Sequence, residues 1–293
     1  EKNPAPAQAI AEYFYRLSMV KGLQHFSFGR KRKIQVEFIS ANPTGPLTLA
    51  NGRGGFLGDI LSNVLRLGGF RVEREYYVND TGNQIYILGK SLLSAAGLLP
   101  IEDSLYKGEY IKKWAKKNIT SIRKLKDPMR LGEKASKDFL ALIKNTVEKK
   151  AYIHFDRWTS ETSLHKKSFI SKAMALFRKK GLVYEKDGAV WLKTTRFGDD
   201  KDRVLVTSDG YPTYFLADAG HYLESVSRGF SRKINILGPD HYGYVGRIQA
   251  AAAIVGLKES EVIVTQVVRV VRNGKEVKIS KRAGTFLTLE ELI

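Results

Sequence analysis

The sequence contains no cysteine, so disulfides and thiolate metal sites are excluded, which fits a reducing compartment. It has no apolar run approaching the length of a membrane span. The first residues, Glu1-Lys2-Asn3-Pro4, are polar, and no apolar leader core follows them. The expectation is a cytoplasmic protein without membrane contact, in a chain that has been processed or trimmed because it lacks an initiator Met. Acidic residues are scarce beside basic ones, 30 against 49, giving a net charge of +19. That imbalance favours a polyanionic partner, although a solvated Lys-rich surface would look the same. Histidines are few and scattered (His25, His154, His165, His221, His241). None has metal-ligand spacing, so no tightly bound metal is expected, and nothing points to a Ser-His-Asp triad.

What is present is a globular composition. Hydrophobic residues make up 43% and aromatics 11% of 293 residues, enough for one large domain with an insertion. Residues 7–17 read as a short amphipathic helix in an N-terminal extension covering 1–33. Ile34–Ser40 reads as a strand with Ile34, Val36 and Phe38 on one face and Gln35, Glu37 and Ile39 on the other. A turn-rich loop follows. Then comes a helix from about Gly52, with Leu57, Ile60, Leu61, Val64 and Leu65 on one stripe, ending at Gly68-Gly69. With a second strand at Phe70–Val78 this is a βαβ unit, so a parallel sheet is expected. Residues 85–150 read as a helical, basic insertion between the two halves of the sheet. Within Ile101–Lys150 there are 14 Lys/Arg against 7 Asp/Glu, and Lys112, Lys113, Lys116 and Lys117 recur at helical spacing. A helix over 165–181 follows. Strand patterns then resume at Ala189–Lys193, Val204–Thr207, Thr213–Leu216, Ile234–Leu237 and Val262–Val271, with helix at Ala250–Val255. Asn273-Gly274 marks a hairpin.

Two distant stretches carry chemistry. Asn42 to Gly52 joins a strand's carboxyl end to a helix start, where free N–H groups and the helix dipole favour an anion. Gly52, Gly54 and Gly55 would let a ligand or another backbone approach closely. Lys278, Lys281 and Arg282 place three cations in five residues and could grip a triphosphate. Asp240-His241, after Gly238 at a strand end, suits a ribose hydroxyl. Tyr214 and Asp218 lie four apart. If a helix begins there they share a face, and Asp218 could pair with a cationic ligand. Glu37, flanked by apolar residues, needs a partner, either a ligand or a structural Arg or Lys.

Four motifs in order then resemble the arginyl-tRNA synthetase family: Val36-Glu37-Phe38-Ile39-Ser40-Ala41-Asn42-Pro43-Thr44-Gly45-Pro46, Glu75 to Ile85, Phe197 to Arg203, and Lys278 to Phe286. The resemblance runs from about Lys33 to Ile293. It implies an α/β fold, a class I Rossmann-type parallel sheet over 34–293 with the helical basic insertion. It also implies activation of L-arginine with ATP and Mg²⁺, and transfer to the 3′ end of arginine tRNA. On it, Glu37, Asn42, Tyr214 and Asp218 match arginine-binding positions. Gly45, Pro46, Gly52, Gly238, Asp240, His241 and Ser280 match the ATP site. Lys278 and Lys281 match catalytic positions of the mobile KMSK-type loop.

Two departures stand out. The family's HIGH signature reads Thr48-Leu49-Ala50-Asn51 here, so Thr48 and Asn51 occupy catalytic positions without an imidazole's charge. The family's anticodon-binding domain is not expected within this chain, and its N-terminal domain is expected to be absent or shortened. A catalytically silent tRNA- or partner-binding relative, and an enzyme activating arginine for a non-tRNA acceptor, are the rival expectations.

Overall fold

The structure, a computed structural model, describes residues 27–272, 275–277 and 286–293. The expected helix over 7–17, the Asn273-Gly274 turn, and Lys278, Ser280, Lys281 and Arg282 lie outside the described residues. The chain runs through β1 (Lys33–Glu37), α1 (Leu49–Leu67) and β2 (Arg71–Val78). Four helices follow: α2 (Asn83–Ala95), α3 (Glu109–Lys117), α4 (Ile119–Leu125) and α5 (Pro128–Lys144), the last continuing into a π-helical turn at Asn145–Lys150. Next come β3 (Arg157–Ser160), α6 (Glu161–Lys166), α7 (Phe169–Lys179), β4 (Val183–Lys186), β5 (Ala189–Leu192), β6 (Arg203–Val206) and α8 (Tyr214–Ser227). The chain closes with β7 (Arg232–Leu237), α9 (Val245–Val255), β8 (Glu259–Val264), β9 (Val270–Arg272) and β10 (Lys275–Val277). Among the described residues no helix is long and apolar enough to cross a membrane.

The main sheet is parallel, in the order β3-β2-β1-β7-β8. This is the Rossmann-type arrangement, with the order reversing between β1 and β7. β4, β5 and β6 form a separate antiparallel sheet, and β9 pairs antiparallel with β10. The helical run α2–α5 has its own core of Leu88, Leu92, Ile111, Trp114, Leu131 and Phe139. It connects the adjacent strands β2 and β3, so it lies within one half of the sheet. Residues 161–231 make the crossing between the halves. On α3, Lys112, Lys113, Lys116 and Lys117 are exposed while Ile111, Trp114 and Ala115 are buried, as the helical spacing requires.

Alternation gives the sheet two unlike faces. Ile34, Val36, Phe38, Tyr76, Ile234 and Ile236 build an apolar core on the α1 side. Gln35, Glu37, Glu75, Lys233 and Asn235 are buried on the other, under α8. The register sets Gln35 opposite Lys233 and Glu37 opposite both Glu75 and Asn235. The sheet's second face is therefore a buried polar layer, not solvent-facing. Ile39 leaves the alternation. Ile39 and Ser40 have φ of 65° and 38°, rare for such residues and costly outside a functional turn. The kink carries Ile39 to the α1 side, against Gly55 and Ile153.

Four sequence expectations change. The α1 stripe is only partly inward: Leu57, Ile60 and Val64 are 38%, 61% and 52% exposed, while Leu61 and Leu65 are half-buried against the core. The buried face is instead Gly52, Gly54, Gly55, Gly58 and Ser62, because the helix lies almost in contact with the sheet. A methyl on Gly58 would sit 2.2 Å from the Phe38 ring. Thr213–Leu216 is not a strand. Thr213 is the N-cap of α8, its hydroxyl accepting from Leu216 N, and capping overrides the β-propensity of Thr-Tyr-Phe. The expected helix over 165–181 breaks at Ser168, which has φ of 60°. The expected strand Val262–Val271 is two pieces, β8 and β9.

Gly58→Ala should destabilise the protein by about 1–3 kcal/mol through overpacking against Phe38. Gly54→Ala, whose new methyl meets nothing nearer than Ile236 at 3.9 Å, should be neutral or stabilise by up to about 1 kcal/mol through helix propensity. Urea unfolding of the two variants measures the difference. Equal effects would contradict the close approach.

Candidate active site

The strand order reverses between β1 and β7, so a crevice is expected at their carboxyl ends. Into it run the β1 loop through Asn42, the β7 loop through Gly238 and Asp240, and the first turn of α8. Tyr214 is the first residue of α8 and Asp218 lies one turn on, on the same face. The Tyr214 hydroxyl reaches the start of α2, 3.7 Å from where a Cβ on Gly82 would be. There Asn42 Nδ2 donates to Gln84 Oε1 at 2.8 Å, which also accepts from Tyr106 Oη at 3.0 Å.

Asp218 has no hydrogen-bond partner among the described residues. Burial, with the charges of Glu37 and Glu161, pushes its carboxyl up to about 7 against the opposing pull of His221 and Arg247. Glu161, the first residue of α6, is buried and also raised, mainly by burial. Between them lies the buried Tyr77 hydroxyl, directed at the Glu161 carboxyl, its ring stacked on His221 at 4.5 Å. The site is thus rich in carboxyls and poor in exposed cations, an arrangement suited to a cationic ligand.

Glu37 has a structural partner. Lys233 Nζ lies 2.8 Å from Glu37 Oε2 and 3.3 Å from both Glu75 Oε2 and His221 Nε2. Asn235 Nδ2 donates to the same Glu37 oxygen at 2.9 Å. Burial opposes the charge on Lys233, but Glu37 and Glu75 outweigh it and raise its pKa. Burial likewise works to raise Glu75, yet His221 and Lys233 hold it well below the usual carboxylate range. Glu37, Glu75 and His221 are spaced as metal ligands, but the ammonium already sits among them. Sequence reasoning misses Lys233, Glu75, His221, Gln84 and Glu161. The available signal is Lys233 and Asn235 alternating with Ile234 and Ile236, which marks a polar face on a buried strand.

The ATP-side residues are more dispersed. Thr48 is the N-cap of α1 and forms a capping box with Asn51. Thr48 N and Oγ1 donate to Asn51 Oδ1 at 2.9 and 2.8 Å, and Asn51 N donates to Thr48 Oγ1 at 3.4 Å. Both side chains are largely spent on the helix start, leaving the Asn51 amide N–H groups as its side-chain donors. Gly52 is buried with its α-carbon facing Leu289, and Gly45 likewise faces the Tyr110 ring, so packing accounts for both glycines. Pro46 is half-buried beside Gly45. Gly238 caps a 3₁₀ turn, Pro239–Tyr244, which presents Asp240 and His241 to solvent, 3.4 Å apart. Behind it Arg203 grips Asp199 with two hydrogen bonds, 2.8 and 2.7 Å, which outweighs burial and leaves Asp199 at about 2. A cavity of about 370 Å³ at the opposite, amino edge is lined by Lys33, Arg71, Arg157 and Arg228. Its Arg157 and Arg228 are already paired with Glu73, Glu75 and Glu224, which leaves the crevice as the better site.

Residues 16–293 match the family described as tRNA synthetases class I (R), catalytic domain. The chain belongs to that family. An arginine–tRNA ligase of Frankia alni is 46% identical over 281 residues, covering 92% of this chain and 50% of that protein. One from Geobacillus thermodenitrificans is 42% identical over 280 residues, covering 90% and 50%. The chain thus spans about half the length of the curated relatives it matches. A Campylobacter jejuni structure, provisionally assigned as an arginyl-tRNA synthetase, superposes with a TM-score of 0.79 at 35% identity, covering 89% of this chain and 60% of that one. The arginyl-tRNA synthetase of Thermus thermophilus shares the fold, with a TM-score of 0.58 at 16% identity, covering 86% and 51%.

For this class I (R) chain the state of Asp218 makes a pH prediction. A guanidinium requires the ionised carboxylate, so affinity for a guanidinium ligand at this carboxyl should rise about tenfold between pH 6 and pH 8, flanking the carboxyl's value of about 7. The empty protein responds oppositely. A carboxyl raised in the folded state stabilises below its unfolded pKa, and that stability is lost as pH rises through about 7. Asp218→Asn should therefore flatten the affinity profile, weaken binding of a guanidinium ligand about tenfold or more, and raise the melting temperature more at pH 8 than at pH 5. Calorimetric titration and thermal melts across pH check both signs.

Proposed function

We propose that the protein is an arginine–tRNA ligase, which forms arginyl-adenylate from arginine and ATP and transfers the arginyl group to the 3′ end of arginine tRNA. The observation that carries this reading is Asp218. It is a carboxyl without a hydrogen-bond partner among the described residues, one helical turn from Tyr214, in the crevice of a class I (R) fold. In the first step an oxygen of the substrate carboxylate attacks the α-phosphorus of ATP, and the bond to the pyrophosphate oxygen breaks. In the second a ribose hydroxyl of the terminal adenosine attacks the acyl carbon, and AMP leaves.

The work divides among the chain's own residues. Asp218 and Tyr214 hold the guanidinium, where a planar, multi-donor cation needs rigid acceptors. Glu37 and Asn42 line the amino-acid side, each already fixed by a partner. Gly238 and Asp240 meet the ribose, with His241 beside them. Asn51 supplies amide donors toward the phosphates. Charge stabilisation on the leaving pyrophosphate falls to Lys278 and Lys281, with Ser280 between them. The Mg²⁺ accompanies ATP. The acid–histidine cluster formed by Glu37, Glu75 and His221 does not fit it, because the Lys233 ammonium fills that place.

The deciding experiment is arginine-dependent exchange of pyrophosphate into ATP by the full-length protein with tRNA present. Exchange together with charging is the expected result. Exchange without charging would indicate another acceptor, and no exchange would overturn the reading in favour of a silent relative. A second prediction concerns tRNA. The exposed Lys112, Lys113, Lys116 and Lys117 should release counterions on binding, so affinity should fall steeply with salt. Replacing one of them with Ala should lower the slope of log affinity against log salt by about one. A slope unchanged in all four single variants would mark a merely solvated face.

A further inference from the structure

We propose that Lys233 is a positioning residue of the amino-acid site, an internal ammonium that orients Glu37 and reserves Asp218 for the substrate cation. The inference rests on the assignment of Glu37 and Asp218 to arginine.

Three observations carry it. The first is place. Lys233 has no exposed surface and lies on a parallel strand, pointing into the polar layer between the sheet and α8. The second is geometry. Its Nζ sits 2.8 Å from Glu37 Oε2 and 3.3 Å from Glu75 Oε2 and from His221 Nε2, with the Tyr222 ring centroid 4.9 Å away. One ammonium thus bridges β1, β2 and α8 from β7. The third is the state of the remaining acids. Glu75 has further partners in Arg228 at 3.3 Å, Arg157 at 3.8 Å and the Thr159 hydroxyl. Glu37 has no second cation nearer than His221 Nδ1 at 3.8 Å among the described residues. Lys233 is therefore the main counter-charge of Glu37, whereas Asp218 has no bonded cation among the described residues.

The consequence is a division between carboxylates. An unneutralised Glu37 would compete with Asp218 for the substrate's positive groups, and a cation could settle in the wrong register. With Lys233 in place, Glu37 acts as an oriented acceptor, and the strongest free demand for positive charge lies at Asp218. The ammonium never meets substrate. It acts through Glu37.

Two variants of the full-length protein test this, Lys233→Met and Lys233→Met/Glu75→Gln. The single change leaves two buried carboxylates short of a cation, and such losses are strongly destabilising. The double change removes one charge of each sign, so it keeps the proposal testable where the single variant does not fold. The expected result for the folded double variant is an arginine KM raised about tenfold or more, with kcat at saturating arginine and the KM for ATP changed by less than about threefold. A purely structural role would lower the melting temperature and leave that split absent. Wild-type arginine kinetics in the folded double variant would overturn the proposal.

A measurement on the wild-type protein is independent of folding in any variant. With ¹⁵N-labelled lysine, the Nζ signal of the buried ammonium should shift when arginine is added and stay in place with ATP alone. No shift with arginine overturns the inference. The two readings can fail separately. Wild-type protein that does not bind arginine by calorimetry defeats the proposed function and takes this inference with it. Arginine binding with an unmoved Lys233 defeats the inference alone.

Discussion

The polar layer between the parallel sheet and α8 depends on a single ammonium. From β7, Lys233 joins Glu37, Glu75 and His221, side chains from two other strands and a helix, at a depth where none has appreciable contact with water. Removing the cation would leave Glu37 buried without its main counter-charge, while Glu75 would keep Arg228 and Arg157. Buried ion pairs often add little net stability, but breaking one by deleting a partner is expensive, so the arrangement acts more on specificity than on stability. Here it fixes register. A slip of one residue in β7 would carry Lys233 and Asn235 to the apolar side and put Ile234 and Ile236 among the carboxylates. The pairing of Glu37 with Glu75 and Asn235 is thereby held, and with it the point where β1 ends.

That end point sets the path of the next segment. Beyond Glu37 the backbone turns through Ile39 and Ser40 at positive φ, and the Ser40 hydroxyl accepts from Tyr77 N at 3.0 Å. The turn delivers the loop that leads into α1, and α1 can come down on the sheet only because its inner face is glycine and serine. Leu57, Ile60 and Val64 are displaced outward as a result, while Leu61 and Leu65 still pack at the margin of the core. The start of α1 is also where the last described segment of the chain is seated. Leu49 N donates to Leu287 O, Leu289 N donates to Leu47 O, and Thr48 bridges Thr288, with Leu289 wholly buried against Gly52. A glycine that looks like a ligand-approach residue in sequence is one on which another segment of the chain is seated.

Much of the frame is legible in sequence because it rests on local rules. The alternation in Ile34–Phe38, the Gly68-Gly69 stop and the run Arg71–Val78 specify a βαβ unit without tertiary information. The pairing of Tyr214 with Asp218 is legible only conditionally, since Thr213 reads as strand by propensity and as a cap by geometry. Two things are hidden. Periodicity finds an apolar stripe but cannot centre it when the neighbouring face is glycine, so Leu57, Ile60 and Val64 read as core although they are exposed. Charge pattern finds Glu37 but not its partner, because Lys233 lies 196 positions away in sequence and only the parallel pairing of β1 with β7 brings them together. Likewise sequence order puts the connection between the halves of the sheet at the helical run, since it does not reveal that β2 and β3 are neighbours.

The capping box at the start of α1 sets the electrostatics of the phosphate side. Thr48 and Asn51 satisfy the helix's first orphan groups by themselves, which makes the turn self-sufficient and rigid. It also leaves the turn neutral, with no acidic residue and no imidazole in it. A neutral helix start can orient a phosphate through its dipole and the Asn51 amide, but those contacts change little as negative charge gathers on a departing pyrophosphate. On the proposed function, the positive charge that responds must come from elsewhere in the chain. In the sequence it is concentrated in Lys278, Lys281 and Arg282. The residues just beyond them return to a fixed place: the Phe286 ring meets Tyr110 edge-on at 6.0 Å, and Leu287 to Leu289 are hydrogen-bonded to Leu47 and Leu49. The described segment that follows the cations in sequence, Phe286 to Leu289, is thus seated on the very turn that lacks them.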